Sequence, residues 1–295
     1  MDFLVDGSLD PFYDETGFES RRERALGLQA CGVPCQLLTR KEVQEIEPAV
    51  SDVVAGATYC AVDGHVTPPR VVWALAAAAK RYGAEIRTGV RVEAILKEGN
   101  RVVGVQTANG NVSAGWVVNT AGIGATQLGS TANIHIPVDC SRGQMFVTER
   151  VPPLLRTHIH NIKQTASGTI VFGATREPGI RDVSTTVAGT KEIVSRAMRL
   201  VPALAGIRVT RSWAGIRPVP PDGYPILGPV DGVERLLVAV MHRGVALAPI
   251  IGQILVELIL HGRASLDISD YSLSRFANFS GSQFGGAKET FYGRG

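Results

Sequence analysis

The stretch SWAGIRPVPPDGYPILGP (residues 212–229), followed by RLLVAVMHRGVALAPIIGQILVELILHG (residues 235–262), decides the fold of this chain. RLLVAV is a short aliphatic run typical of a buried strand, MHRG is a turn, and a long apolar helix follows. The first turn of such a helix has backbone N–H groups without intrahelical partners and the positive end of a dipole. The pattern therefore predicts a strand–turn–helix unit whose helix N-terminus favours an anionic group.

The helix in this unit is also long enough to be tested as a membrane span. Pro249, Gly252, Gln253 and Glu257 interrupt its apolar run. We therefore expect a helix buried inside the protein and no transmembrane segment.

Two kinds of region alternate along the rest of the chain. Residues 1–67 and 134–210 are rich in short strands, and in the first of them Thr39 and Glu42 form the pattern of a helix capping box. Residues 68–133 predict a helix (PPRVVWALAAAAKRYG), a strand (AEIRTG) and then a β-meander with Gly-Asn and Asn-Gly turns. This alternation indicates two interleaved domains, with residues 266–295 as a polar, partly ordered tail.

Composition and charge exclude several classes of protein. The net charge of +3 and the absence of a Lys/Arg run argue against a nucleic-acid partner. The N-terminus has no basic segment followed by an apolar one, so a cytoplasmic protein is expected, with a position peripheral to the inner membrane as the variant.

Two groups of residues raise the question of a metal. Cys31 and Cys35 have no second pair to complete a four-ligand site. His158 and His160 would share one face of a strand, and His65 is a further histidine, but no third ligand is apparent. The sequence therefore predicts no metal site.

Four stretches together resemble one known family. They are residues 64–95 (GHVTPPRVVWALAAAAKRYGAEIRTGVRVEAI), 115–125 (GWVVNTAGIGA), 142–149 (RGQMFVTE) and the stretch quoted first. In this order and at these intervals they are similar to the D-amino-acid-oxidase-like superfamily of FAD-dependent oxidoreductases. Within it, they resemble glycine oxidase, sarcosine oxidase β-type subunits, D-amino-acid dehydrogenases and the flavoprotein subunits of opine oxidases.

The resemblance implies an α/β fold: an FAD-binding dinucleotide fold interleaved with an antiparallel-sheet substrate domain of α+β character. Residues 1–67 and 134–210 would form the substrate domain. Residues 68–133 and 211–265 would form the middle and C-terminal parts of the FAD-binding domain. A nicotinamide dehydrogenase is disfavoured, because the C-terminal stretch has no role in such a fold.

The resemblance also implies the chemistry, which is oxidation of the C–N bond of an amino or imino acid by hydride transfer from the substrate Cα to flavin N5. No dedicated catalytic base is needed. Arg217 matches the arginine that binds the substrate carboxylate, and its planar fork suits that role. The alternative is a structural arginine paired with Asp222. His242 stands where glycine oxidase has a second substrate-contacting arginine, and the neighbouring Arg243 competes with it for a substrate contact.

A set of residues is expected to contact FAD. Reduced flavin is negatively charged near N1 and O2, so the N-terminus of the long helix would stabilise it. Gly244 would allow the backbone to approach the ring closely. The expected contacts are Val92, Gly122, Gly228, Met241, His242, Arg243, Gly244, Val245 and Ala246.

One expected motif is missing. A dinucleotide fold needs a strand, a glycine-rich turn and a helix near its start, and no G-x-G-x-x-G follows an apolar strand in this chain. VDGSLDP near the start corresponds to a point well inside the family domain. We therefore expect a chain truncated before this point, or a partner subunit that supplies the strand. The competing hypothesis is a non-catalytic remnant or subunit that binds a partner or a small carboxylate without flavin.

Overall fold

The computed structural model describes residues 3–277, which form seventeen β-strands and six α-helices. The strands are β1 (Phe3–Leu4), β2 (Ser8–Phe12), β3 (Gln36–Thr39), β4 (Gly56–Cys60), β5 (His65–Val66), β6 (Val92–Glu98), β7 (Arg101–Thr107), β8 (Gly110–Ser113), β9 (Val117–Asn119), β10 (Asp139–Arg150), β11 (His158–Ile159), β12 (Ile162–Gln164), β13 (Thr169–Gly173), β14 (Glu177–Pro178), β15 (Val209–Val219), β16 (Ile226–Val230) and β17 (Val233–Val240). The helices are α1 (Glu15–Ala30), α2 (Arg40–Ile46), α3 (Pro68–Arg81), α4 (Ala125–Ser130), α5 (Val187–Leu200) and α6 (Gly244–His261).

The chain divides into two compact units, each assembled from separated segments. Unit 1 comprises Met1–Ile86, Arg142–Glu177 and Asp182–Gly215; unit 2 comprises Arg87–Ser141, Pro178–Arg181 and Ile216–Gly295. The boundary predicted at residue 67 lies inside unit 1, so α3 groups with unit 1 in the structure. The mixture of helices with mixed and antiparallel sheets confirms the predicted α/β class.

Unit 1 is built on a large sheet with the strand order β14-β10-β13-β12-β11-β2-β4-β3, and β15 pairs with β10. Most neighbours are antiparallel, whereas β11 and β2 run parallel. Helix α5 buries one face in the core of this unit, where Ile193 packs with Phe146, Ile170 and other apolar residues.

Local sequence signals explain where several helices of unit 1 begin and end. The Thr39 side chain accepts a bond from the Glu42 amide, and the Glu42 carboxylate accepts one from the Thr39 amide, which confirms the predicted capping box of α2. Asp14 caps α1 and Thr186 caps α5 in the same way, through side-chain oxygens. Gly83, with a φ of 89°, lies just past the end of α3, as its position in the sequence predicted.

Unit 2 contains a six-stranded sheet with the order β16-β17-β7-β6, in which β8 pairs with β7 and β9 pairs with β17. Strands β6, β7 and β8 form the predicted antiparallel meander. In contrast, β9 leaves the meander and runs parallel to β17. The sheet is covered on one side by α6, whose Ile251, Ile254 and Leu258 pack on Leu237 and Ala239.

The prediction that α6 is a buried helix is wrong. Among the described residues it buries only Ile251, Ile254 and Leu258, a single row at helical spacing, while Val245, Val256 and Leu260 are exposed. By length and hydropathy α6 is the one described helix that would suffice to cross a membrane. Its polar side is held by Glu257, which accepts bonds from the amide and hydroxyl of Ser265.

Two further expectations changed in the structure. Residues 84–89 (AEIRTG) were predicted to be a strand, but they form no strand in the described chain, because they pair with no neighbouring strand there. The predicted tail begins as packed structure: Phe276 is buried, and Arg275 bonds to the carboxylate of Asp222. Residues 278–295 of that tail lie outside the described residues.

Candidate functional site

Two of the sequence motifs meet at one edge of the sheet in unit 2. Strands β9 and β17 are parallel neighbours, with Val117 opposite Leu236 and Asn119 opposite Val238. Both chains therefore leave the sheet at the same carboxyl edge, β9 into the turn with Gly122 and β17 into Met241–Arg243. In open α/β sheets the carboxyl edge of parallel strands is where ligands bind.

The turn after β9 is held by a buried side chain that the sequence analysis did not single out. Asn119 is almost fully buried; its amide nitrogen donates to the Ala125 carbonyl, and its carbonyl oxygen accepts from the Ala121 amide. Gly122 follows with a φ of 57°, a left-handed conformation that favours glycine. The signal for Asn119 was its place between an apolar strand and a Gly-containing turn.

The structure brings the Arg217 segment next to this turn. Arg217 lies near the end of β15 and is half-buried. The Cγ of the adjacent Pro218 lies 3.7 Å from the position that a Cβ on Gly122 would occupy. Arg275 holds the loop after β15, with its Nε 2.7 Å from the Asp222 carboxylate. Asp222, the alternative partner considered for Arg217, is thus bound by Arg275.

The N-terminus of α6 faces open space. Gly244, Val245 and Ala246 are exposed, and a Cβ built on Gly244 would meet no described atom within 4 Å. Their amides belong to the first turn, so they have no intrahelical acceptors. Gly244 is in helical conformation, which any residue adopts, so the expected need for glycine's conformational freedom there is wrong. A close approach by a bound group remains the one reason for glycine at this position.

The other two predicted cofactor contacts lie elsewhere in the sheet. Val92 opens β6 opposite Thr107, in the meander. Gly228 lies opposite Val238 on β16, and the space beside it is filled by Ile268, whose Cδ1 is 3.2 Å from the Cβ position. The structure thus gives Gly228 a packing role, while a cofactor contact of either residue stays a prediction.

The electrostatics of this edge favour an anion. Arg217, His242 and Arg243 supply cationic or potentially cationic groups, and no acidic residue occurs between Leu236 and Val256. The α6 dipole adds positive potential at its N-terminus. An exposed first helical turn, a left-handed glycine and a half-buried arginine therefore suit a flat anionic group and a carboxylate side by side, and these residues fit the negative edge of a reduced flavin.

The fold and this edge together define a dinucleotide-type α/β protein with an anion-binding strand–turn–helix unit. The sequence model of the FAD dependent oxidoreductase family (DAO) matches residues 1–258. The chain therefore belongs to the FAD-dependent oxidoreductase family, whose members are flavoproteins, as the four stretches predicted.

Several relatives give the resemblance a scale. The chain is 37% identical to hydrogen cyanide synthase subunit HcnC of Pseudomonas aeruginosa over 81% of this chain and 59% of that protein. It is 31% identical to glycine oxidase of Geobacillus kaustophilus, over 83% of this chain and 67% of the relative. For an opine oxidase subunit of Rhizobium meliloti the values are 30%, 81% and 64%.

The solved structure of the Geobacillus kaustophilus glycine oxidase superposes with a TM-score of 0.88 at 28% identity, covering 93% of this chain and 76% of that one. This likeness confirms the predicted fold. The chain spans about three fifths of the length of the curated relatives it matches first.

Proposed function

We propose that the protein is the flavin- and substrate-binding part of an FAD-dependent oxidoreductase that oxidises the C–N bond of a small amino or imino acid. The observation that carries this proposal is the meeting of Gly122, the Arg217 segment and the N-terminus of α6 at one carboxyl edge. The relatives support the substrate class, since their names include glycine oxidase and opine oxidase.

The chain's own residues would bind and orient the reactants. Arg217 would hold the substrate carboxylate through two parallel N–H···O bonds, which fixes the substrate Cα in one place. The amides of Gly244, Val245 and Ala246 would donate to the anionic edge of the flavin. His242, at the start of the same turn, would contact the substrate from the other side. Bound FAD would supply the hydride acceptor.

A glycine substitution at the start of α6 tests the placement of the cofactor. Gly244→Val is expected to weaken FAD binding severely, because the branched side chain would occupy the space that the ring approaches. Flavin fluorescence titration measures the affinity, and circular dichroism checks that the variant folds. Gly252→Val is the matched control, since Gly252 lies in the same helix with open space beside it but two turns further on.

Unchanged FAD affinity in Gly244→Val, with the same titration curve as Gly252→Val, would show that this turn does not approach the cofactor. Loss of affinity in both variants to the same degree would mean that α6 acts through its stability alone.

We also propose that tight FAD binding requires a phosphate-binding βαβ element additional to residues 1–295. The absence of G-x-G-x-x-G after an apolar strand supports this, as do the exposed apolar residues of α3 and α6. The 295-residue chain is then expected to bind FAD weakly. A chimera that adds the N-terminal segment of the Geobacillus kaustophilus glycine oxidase should bind it tightly. Tight, stoichiometric FAD on the 295-residue chain alone would refute this requirement.

A second proposal concerns assembly. Two relatives, HcnC and the opine oxidase chain, are named as subunits, which favours a partner chain for this protein as well. Size-exclusion chromatography with light scattering after co-expression with the neighbouring reading frames would test it. A species of one chain's mass under every condition argues against an obligate partner.

A further inference from the structure

Three side chains from separate segments of unit 1 converge on one point. Asp6 follows β1, His65 opens β5, and His158 opens β11. Pairing of β1 with β5 places Leu4 opposite His65, and pairing of β11 with β2 places His158 opposite Ser8. One nitrogen of each imidazole and one carboxylate oxygen of Asp6 all lie within 4.8 Å of one another.

These polar groups are enclosed but not satisfied. The His65 side chain is only 8% exposed, and within residues 3–277 neither of its ring nitrogens has a hydrogen-bond partner. The same holds for His158 Nδ1 and Asp6 Oδ1. Buried polar atoms are normally paired, so four unpaired atoms facing one another require an explanation.

Direct pairing among the three side chains does not provide one. His65 Nδ1 and His158 Nδ1 approach the same atom, Asp6 Oδ1, at 3.3 Å and 3.8 Å, without hydrogen-bond geometry. The two rings meet edge to face, with centroids 5.7 Å apart and an angle of 80°. A single cation between the three donor atoms would satisfy all of them at once.

The surroundings of His158 match those of a metal-bound imidazole. Its other nitrogen, Nε2, lies 3.9 Å from the carboxylate of Asp63, which itself accepts a bond from Ser8. Metal-ligating histidines commonly donate their second N–H to a carboxylate in this way. Burial lowers the pKa of His158 against the opposing charges of Asp63 and Asp6, so the imidazole is neutral at pH 7.

One positive group opposes a cation here. The Lys163 ammonium is attracted by Asp6, and burial lowers its pKa. Its Nζ is held 2.6 Å from the carbonyl of Val66 rather than on the Asp6 carboxylate. The lysine therefore weakens a cation site without occupying it.

We propose that Asp6, His65 and His158 form a site for a divalent transition-metal cation of the zinc type, with water at the fourth position. Two imidazoles and one carboxylate are a ligand set that zinc accepts. Ligand bonds of roughly 2.0–2.1 Å place donor atoms about 3.4 Å apart in a tetrahedral site, so small side-chain rotations close the present separations. Such a cation joins three segments of unit 1 and requires no flavin.

Direct metal binding tests the site. The purified 295-residue chain, stripped with a chelator, is titrated with Zn²⁺ by calorimetry and with Co²⁺ by visible absorption, and its metal content before stripping is measured by mass spectrometry. We expect one equivalent of Zn²⁺ and the absorption of tetrahedral Co²⁺. Substoichiometric, millimolar binding would overturn the proposal.

Variants locate the ion. His65→Ala and Asp6→Asn should weaken Zn²⁺ binding by more than the roughly 10- to 100-fold that loss of an outer-shell partner costs, and Asp63→Asn by about that amount. Lys163→Met should tighten binding. The matched control is His160→Ala, because His160 pairs with Asp10 at 3.0 Å and not with this cluster. Equal Zn²⁺ affinity in His65→Ala and His160→Ala would also overturn the proposal.

A thermal measurement separates metal binding from misfolding. Zn²⁺ should raise the Tm of the stripped wild type and of His160→Ala, because a cation that binds only the folded state stabilises it. The Tm of His65→Ala, with the circular dichroism spectrum of the stripped wild type, should not respond. An equal Zn²⁺-dependent rise in His65→Ala would place the ion elsewhere.

Discussion

Helices α3 and α5 have the same length and similar amphipathic sequences, yet the structure treats them differently. Each has fourteen residues. Helix α5 buries Ile193, Ala197 and Leu200 in the core of unit 1, whereas α3 has no buried residue and its Trp73 is 69% exposed. An apolar helix face is stable when it has a partner surface. The described chain supplies that surface for α5 and none for α3, so α3 is built for a contact that residues 3–277 do not make.

The largest expected effect tests the buried member of this pair. Ile193 is 1% exposed, and Ile193→Ala should lower the free energy of unfolding by about 2–5 kcal/mol through lost transfer energy and a residual cavity. Urea unfolding followed by circular dichroism measures the change. Val72→Ala on α3 is the matched control and should stay within about 0.5 kcal/mol. Equal losses in both variants would mean that α3 is buried in solution and would remove the contrast.

The second prediction moves from stability to binding. Arg217→Ala should raise the KM for an amino-acid substrate in the FAD-loaded enzyme by a factor equivalent to about 1.5–3 kcal/mol, the worth of a hydrogen bond to a charged group. Arg217→Lys should restore part of this, because a point charge cannot reproduce the planar fork. Steady-state kinetics on a series of small amino acids provides the readout. Wild-type KM values in both variants would make Arg217 structural.

A third prediction concerns an ion-pair network that belongs to unit 1 by itself. Asp10 Oδ2 lies 3.0 Å from Arg21 Nε, and Oδ1 lies 3.0 Å from His160 Nδ1. Burial by itself would raise the pKa of Asp10, but the bond to His160 and the charges of His160, Arg21 and Arg24 outweigh it and hold the pKa below its usual range. A carboxylate with a depressed folded pKa stabilises the protein above its unfolded pKa, and that stability is lost as the pH falls through the folded value.

Asp10→Asn should therefore lower the free energy of unfolding at pH 7 by about 1–3 kcal/mol, since it leaves the buried Arg21 without a counter-charge. The difference from the wild type should shrink as the pH falls below about 4. Chemical unfolding at a series of pH values follows this difference. A difference that stays constant down to pH 2 would assign the effect to packing.

The smallest effect tests the exposed member of the pair. Trp73→Ser should change the free energy of unfolding of the 295-residue chain by no more than about 0.5 kcal/mol, because an exposed side chain loses little on truncation. In a chimera that adds the βαβ segment of glycine oxidase, the same substitution should lower both stability and FAD affinity. Thermal melting and flavin titration of the two backgrounds compare these outcomes. An equally silent substitution in the chimera would show that α3 does not contact the added element.

Local sequence was sufficient for much of the secondary structure. The capping box at Thr39 and Glu42, the stop at Gly83 and the strand–turn–helix around MHRG each depend on neighbouring residues, so the printed sequence carried them. Residues 84–89 could not be predicted in this way, because a strand exists only when another strand pairs with it.

What the sequence by itself determined is the family, the parallel and antiparallel character of the two kinds of region, and Arg217 and the α6 N-terminus as candidate binding groups. Only the tertiary structure decided which of these groups meet. The parallel register of β9 with β17 brings Gly122 level with the turn before α6, and three distant segments bring Asp6 to His65 and His158. The physical reason is that periodicity and capping act within a few residues, whereas side chains far apart in sequence become neighbours through strand pairing, which local patterns do not encode.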